Sequence, residues 1–140
     1  VFPSGTIWSN DFIGIGYDVL VLGQTGKMRI DVDALQQRLD GEDYQAIADS
    51  LRKVGFRSAV DILATYAGQA LDLKPWLKDA EINRDRNLRL QYLAGMGLNY
   101  HLSGLIFSEL LAYYRFPDEL FIGSEGRLEE LRKALGKSDI

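Results

Sequence analysis

Val19-Leu20-Val21-Leu22 is an unbroken aliphatic run closed by Gly23, and a run of that kind calls for cover on both of its faces. It predicts a buried strand over 17–23 and, with it, a sheet. Phe2 to Asn10 supplies a neighbour: Pro3-Ser4-Gly5 makes a tight turn, and Thr6, Ile7 and Trp8 have the β-branched and aromatic character of a strand. The connection through Asp11 to Gly16 is short enough to make the two segments antiparallel neighbours.

Helical spacing takes over from Asp31. That residue caps a helix whose Val32, Leu35 and Leu39 share a face and which stops at Asp40-Gly41. A second helix aligns Tyr44, Ile47, Ala48, Leu51 and Val54, with Glu42 and Asp43 at the positive end of its dipole and Gly55 as terminator. Ser58 and Asp61 have the spacing of a capping box, and Ala59, Ile62, Leu63 and Tyr66 then predict a helix interrupted or ended at Gly68. Pro75-Trp76 starts a short further turn, and Ile82 to Asn87 is a polar loop. The alternation in Leu88-Arg89-Leu90-Gln91-Tyr92 predicts a strand that joins the sheet. Beyond breaks at Gly95 and Gly97, Leu98, Leu102, Leu105, Ile106, Leu110 and Tyr113 form the broadest apolar helical face, which contains His101 and ends before Pro117. Ser124 caps a last helix with Leu128, Leu131 and Leu135 inward, a Glu129–Lys133 pair outward and Gly136 at its end.

Composition narrows the function classes. With 140 residues and 46% hydrophobic content the chain can bury a core, and a net charge of −4 gives it no general attraction to nucleic acid or anionic lipid. The absence of cysteine removes disulfides, thiol catalysis and thiolate zinc sites. No apolar stretch approaches the roughly 18 residues of a membrane span, so this segment is not expected to insert into a membrane.

The candidate chemical groups are scattered. His101 has no nucleophile elbow to serve, and it reads as structural or surface. Asp31, Asp33, Asp40, Glu42 and Asp43 lack the ligand spacing of a calcium loop and read as helix caps. Gly14-Ile15-Gly16 precedes a strand instead of following one, which excludes a dinucleotide fingerprint. Gly123-Ser124-Glu125-Gly126 puts glycines at a helix start, where free N–H groups can hold an anion, but Glu125 argues against phosphate. Arg84, Arg86 and Arg89 could grip a carboxylate or phosphate, although a solvated loop with local ion pairs explains them as well. Trp8 and Trp76 could stack a base or hold an amine, or simply belong to the core.

Phe2-Pro3-Ser4-Gly5-Thr6-Ile7-Trp8 resembles the Tyr-Pro-Ser-Gly segment of spermidine synthases, the aminopropyltransferases that use decarboxylated S-adenosylmethionine, and Tyr17 to Gly23 resembles the next strand of their Rossmann-like domain. Ile82-Asn83-Arg84-Asp85-Arg86-Asn87-Leu88-Arg89-Leu90-Gln91-Tyr92 is similar to the Leu-Asn-Thr-Asp-Asp-Arg-Pro-x-Leu-Glu-Tyr pattern near the end of long, often membrane-fused bacterial members. The resemblance covers about two thirds of the chain, Val1 to Leu93. Phe2 departs from it by lacking the tyrosine hydroxyl that lies near the amine, and Arg84 and Asn87 replace Thr and Pro.

The resemblance implies an α/β fold: the C-terminal fragment of a Rossmann-like, methyltransferase-type sheet of about three strands, with several helices. Residues 1–97 would belong to the synthase-like domain and 98–140 to a helical extension. The chain opens on Val1 with no initiator methionine, which fits an expectation that the earlier part of the enzyme is absent. The family's cofactor glycines and catalytic acids lie upstream of the Pro-Ser-Gly turn, so no cofactor and no catalytic residue are expected in this piece. Decarboxylated S-adenosylmethionine and a polyamine such as putrescine would be substrates of the parent, and Phe2, Ser4, Gly5 and Trp8 would line one wall of the site. Expected partners are the rest of the parent and no nucleic acid, with homo-oligomerisation open. The expected location is the cytoplasm, or the soluble part of a membrane-anchored parent. Two other readings stand beside this one. One is a noncatalytic interaction or structural module of a larger membrane-associated protein, binding through Leu102, Leu105, Ile106 and Leu110. The other is a parent that binds an adenosine-type ligand without aminopropyl transfer.

Overall fold

The computed structural model describes residues 4–12 and 15–136. In chain order the elements are β1 (Ser4–Phe12), β2 (Ile15–Gln24), β3 (Ile30–Asp31), α1 (Val32–Asp40), a single 3-10 turn (Glu42–Tyr44), α2 (Gln45–Lys53), α3 (Ala59–Leu63), β4 (Tyr66–Gln69), α4 (Arg89–Asn99), α5 (Ser103–Leu111), β5 (Phe121–Ile122) and α6 (Glu125–Gly136). The fold is mixed α/β, with an antiparallel sheet in the order β2-β1-β4 and a parallel pair, β3-β5. The chain divides into two units, Val1–Gly23 with Ala67–Arg115 and Gln24–Tyr66 with Phe116–Ile140.

The first unit carries the antiparallel sheet. β1 and β2 are neighbours, as the short connection requires, and β1 also pairs with the strand running through Ala67 to Gln69, the Ala70 N–H donating to the Gly5 carbonyl at 2.9 Å. Its core gathers Ala67, Leu73, Phe107 and Leu110, with Ile7, Trp76, Leu111 and Tyr113 packed against them.

Several expectations are corrected here. Residues 18–24 of β2 are exposed, Val21 by 66%, because β2 is an edge strand and an aliphatic run is buried on both faces only when it is central and covered by two layers. Tyr66 is not helical: the Thr65 N–H and hydroxyl both turn back to the Ile62 carbonyl, ending α3, and Tyr66 begins β4. Leu88 to Tyr92 is not a strand. Five alternating residues are too few to fix the period, and Asn83 and Asn87 accept hydrogen bonds from the first amides of α4, Leu90 and Arg89. Gly95 and Gly97 lie inside α4 and do not break it.

The second unit is built on α1, which packs against α2, α3 and α6. Asp31 caps α1 by accepting from the Ala34 N–H at 2.9 Å. α2 ends in a paired C-terminal cap: Phe56 N–H donates to the Leu51 carbonyl and Gly55 N–H to the Arg52 carbonyl, with Gly55 at φ +100°. The Ser58–Asp61 capping box is complete, and the Gln36 side chain reaches from α1 to accept from the Ala59 N–H at 2.8 Å. β3 and β5 pair with Ile30 opposite Phe121 and Asp31 opposite Ile122. Tyr66 stands edge-on to Phe121, and Arg132 lies over the Phe116 ring, 4.1 Å from its centre. Lys27 and Glu119 meet at 2.7 Å just ahead of the two strands, and that hydrogen bond and charge hold the Glu119 carboxyl below its ordinary range.

Leu131 and Val32 are the largest fully buried side chains, and they anchor this unit. Leu131→Ala is expected to destabilise it by about 2–5 kcal/mol, read as a lower denaturation midpoint in urea.

Candidate functional site

β1 positions most of the residues that the sequence singled out. Side chains alternate along a strand, so Ser4, Thr6 and Trp8 share one face while Gly5, Ile7 and Ser9 share the other. The structure thus brings Ser4 and Trp8 to one side and sets Gly5 on the opposite side. Phe2 lies outside the described residues. Ser4 and Gly5 are half-buried, and Trp8 is 8% exposed. A Cβ on Gly5 would stand 3.5 Å from that of Ala70, an ordinary contact, so space alone does not demand glycine there.

The Trp8 indole N–H donates to the Thr6 hydroxyl at 2.9 Å, and both residues are buried. This pair fixes the ring on its face of the strand. Thr6 is a participant that the motif reading missed, although Thr-x-Trp spacing on a strand already places the two together. On the other face Ile7 enters the core, and the buried Ser9 hydroxyl has no hydrogen-bond partner among the described residues.

The other candidates resolve into structural roles. His101 is exposed and lies in the turn between α4 and α5, not inside a helix. With φ at +53° it occupies the position where glycine usually ends a helix: Leu102 N–H donates to the Gly97 carbonyl and His101 N–H to the Leu98 carbonyl. Trp76 packs on the first unit's core. Arg89 pairs with Glu81 at 3.2 Å, while Asn87 knits the loop through the Arg84 N–H and the Ile82 carbonyl. Gly14 lies outside the described residues. At the start of α6, Asp33 accepts from both the N–H and the hydroxyl of Ser124, so a carboxylate of the chain itself occupies the place an anion would take.

Among the described residues no group of three His, Cys, Asp or Glu could hold a metal ion. A shallow surface depression in the second unit, with room for little more than a water molecule, is lined by Leu39, Asp40, Ala48, Leu51, Arg52, Phe56 and Arg57, and Arg52 there is already paired with Asp49. Among the described residues no helix is long and apolar enough to cross a membrane. The broad helical face divides: Phe107 and Leu110 are in the core, whereas Leu105 and Ile106 are 57% and 46% exposed. No family model, no curated protein and no solved structure matches the chain.

Thr6→Val keeps the shape of the side chain but removes the acceptor for the Trp8 indole, and it is expected to cost about 1–3 kcal/mol in chemical denaturation while Thr6→Ser costs less. His101→Gly relieves a left-handed residue and is expected to stabilise the α4–α5 turn by about 1 kcal/mol, measured by amide hydrogen exchange in α4.

Proposed function

We propose that this chain is the C-terminal part of a spermidine-synthase-like aminopropyltransferase, completing a Rossmann-like sheet and one wall of its amine site. The observation that carries the reading is the β1–β2 pair: the segment resembling the family's Pro-Ser-Gly motif opens the central strand of the sheet, and the next apolar segment is its antiparallel neighbour. The exposed aliphatic side chains of β2 add support, since an edge strand of that kind is left stable in water when more protein covers it. In such a parent, the amine must be oriented against the methylene beside the sulfonium and lose a proton to a base. This segment would help with orientation through Ser4 and Trp8, which share a face of β1, with Phe2 beside them in sequence and Gly5 contributing only backbone, and the base would come from upstream. Residues 98–140 would form a helical extension.

The second reading is a noncatalytic interaction module, and the exposure of Leu105 and Ile106 on α5 favours it. The deciding measurement is aminopropyl transfer from decarboxylated S-adenosylmethionine to putrescine by the intact parent, with the 140-residue chain as control. Transfer is expected in the parent alone, and Ser4→Ala or Trp8→Phe in that parent is expected to lower kcat/KM by about tenfold or more through misplacement of the amine. A folded parent without transfer overturns the transferase reading. An active parent indifferent to both substitutions overturns the wall.

A further inference from the structure

Residues 18–27 are all exposed, and the most apolar of them lie on β2: Val19 by 50%, Leu20 by 57%, Val21 by 66% and Leu22 by 42%. The strand order β2-β1-β4 leaves the outer edge of β2 without a strand neighbour among the described residues. Edges that must stay single are usually short, or carry lysine or proline. β2 is ten residues long, with neither lysine nor proline and with Asp18 as its one charge. Its free backbone groups dictate what covers it: another strand, since neither a helix nor a lipid layer can pair a row of N–H and C=O groups.

The strand complements itself when reversed. A two-fold axis perpendicular to a sheet relates two antiparallel copies of one strand, and residues that stand opposite must then point to the same face, so the axis passes through a residue and not between two. With the axis at Val21, Leu20 of each copy stands opposite Leu22 of the other and Asp18 opposite Gln24, all on one face. Four leucines thus meet in the middle, and a carboxylate meets an amide donor at either end. On the other face Val21 meets Val21, and Val19 meets Gly23. The two Asp18 carboxylates stand six positions apart along the pair, about 20 Å, where repulsion between exposed charges is screened. Neighbouring registers mix polar with apolar: an axis at Leu20 sets Asp18 against Leu22, and one at Leu22 sets Leu20 against Gln24. Val21, the most exposed residue of the run, is the one at the axis.

We infer that β2 is a dimerisation edge, pairing antiparallel with β2 of a second copy about a two-fold axis at Val21, so that the two sheets become one. A foreign strand would have to supply leucines and an amide in this order and spacing, whereas a second copy already carries them. This inference is independent of the transferase reading, because association is measured without substrate.

The test is sedimentation velocity of the 140-residue chain over a dilution series. A reversible dimer is expected. Val21→Lys and Val21→Glu each bring like charges together at the axis, and each is expected to raise the dissociation constant by about a hundredfold or more while leaving the circular dichroism folded, since the side chain is exposed. Mixing the two variants sets lysine opposite glutamate and is expected to restore a dimer, which mere loss of apolar surface would not do. A folded monomer throughout the series overturns the inference and leaves the edge to a strand of another protein or of the parent. A dimer that survives both single substitutions overturns it too, as do variants that remain monomeric when mixed. Open-ended assemblies in place of a dimer also overturn it, because pairing of one edge about a two-fold axis stops at two copies.

Discussion

The Asp33 carboxylate ties the two chain segments of the second unit together. It accepts from the backbone N–H and the hydroxyl of Ser124, with the Arg127 guanidinium 4.0 Å away, and so joins the first turn of α1 to the start of α6 across 91 positions of sequence. The β3–β5 pair runs beside it, because Asp31, just before α1, pairs with Ile122, two residues short of the α6 cap region. Gly123 fits there at φ +156°, where a Cβ would also stand 3.1 Å from the Asp33 carboxylate and push it aside, so glycine suits the close approach of the two segments. One charge thereby meets the start of a helix beside a parallel pair that its own backbone bonds hold, and helps position the helix that brings Leu131 and Leu135 into the core.

The first unit is organised differently. Its sheet has a filled face, where Ile7 meets Ala67, Leu73, Phe107 and Leu110, and an edge, β2, whose aliphatic side chains remain in water. Its helices repeat that asymmetry: α5 sends Phe107 and Leu110 inward while α4 buries nothing.

What was legible in the sequence was mostly short-range chemistry. The Asp31 cap, the Ser58–Asp61 box and the Gly55 terminator depend on residues within a turn of one another, and each is found where the spacing places it. What was not legible depended on partners far along the chain or on too short a pattern. Leu88 to Tyr92 alternates like a strand, but Asn83, seven residues before Leu90, supplies a helix-starting bond that no local template contains. Val19 to Leu22 has the composition of a central strand, yet strand order is a tertiary property and places it at the edge. For the site, the shared face of Ser4 and Trp8 follows from alternation alone, while the amine wall rests on resemblance and Phe2 lies outside the described residues.

Leu88 and His101 bracket α4, and both hold left-handed backbone conformations, with φ of +45° and +53°. Each such residue is disfavoured by roughly 1–2 kcal/mol relative to the right-handed form. Strain is thus concentrated at the two joints of a rod that gains almost nothing from packing. Releasing the rod would relax both joints and expose little new apolar surface, so local opening of α4 costs its unit little free energy.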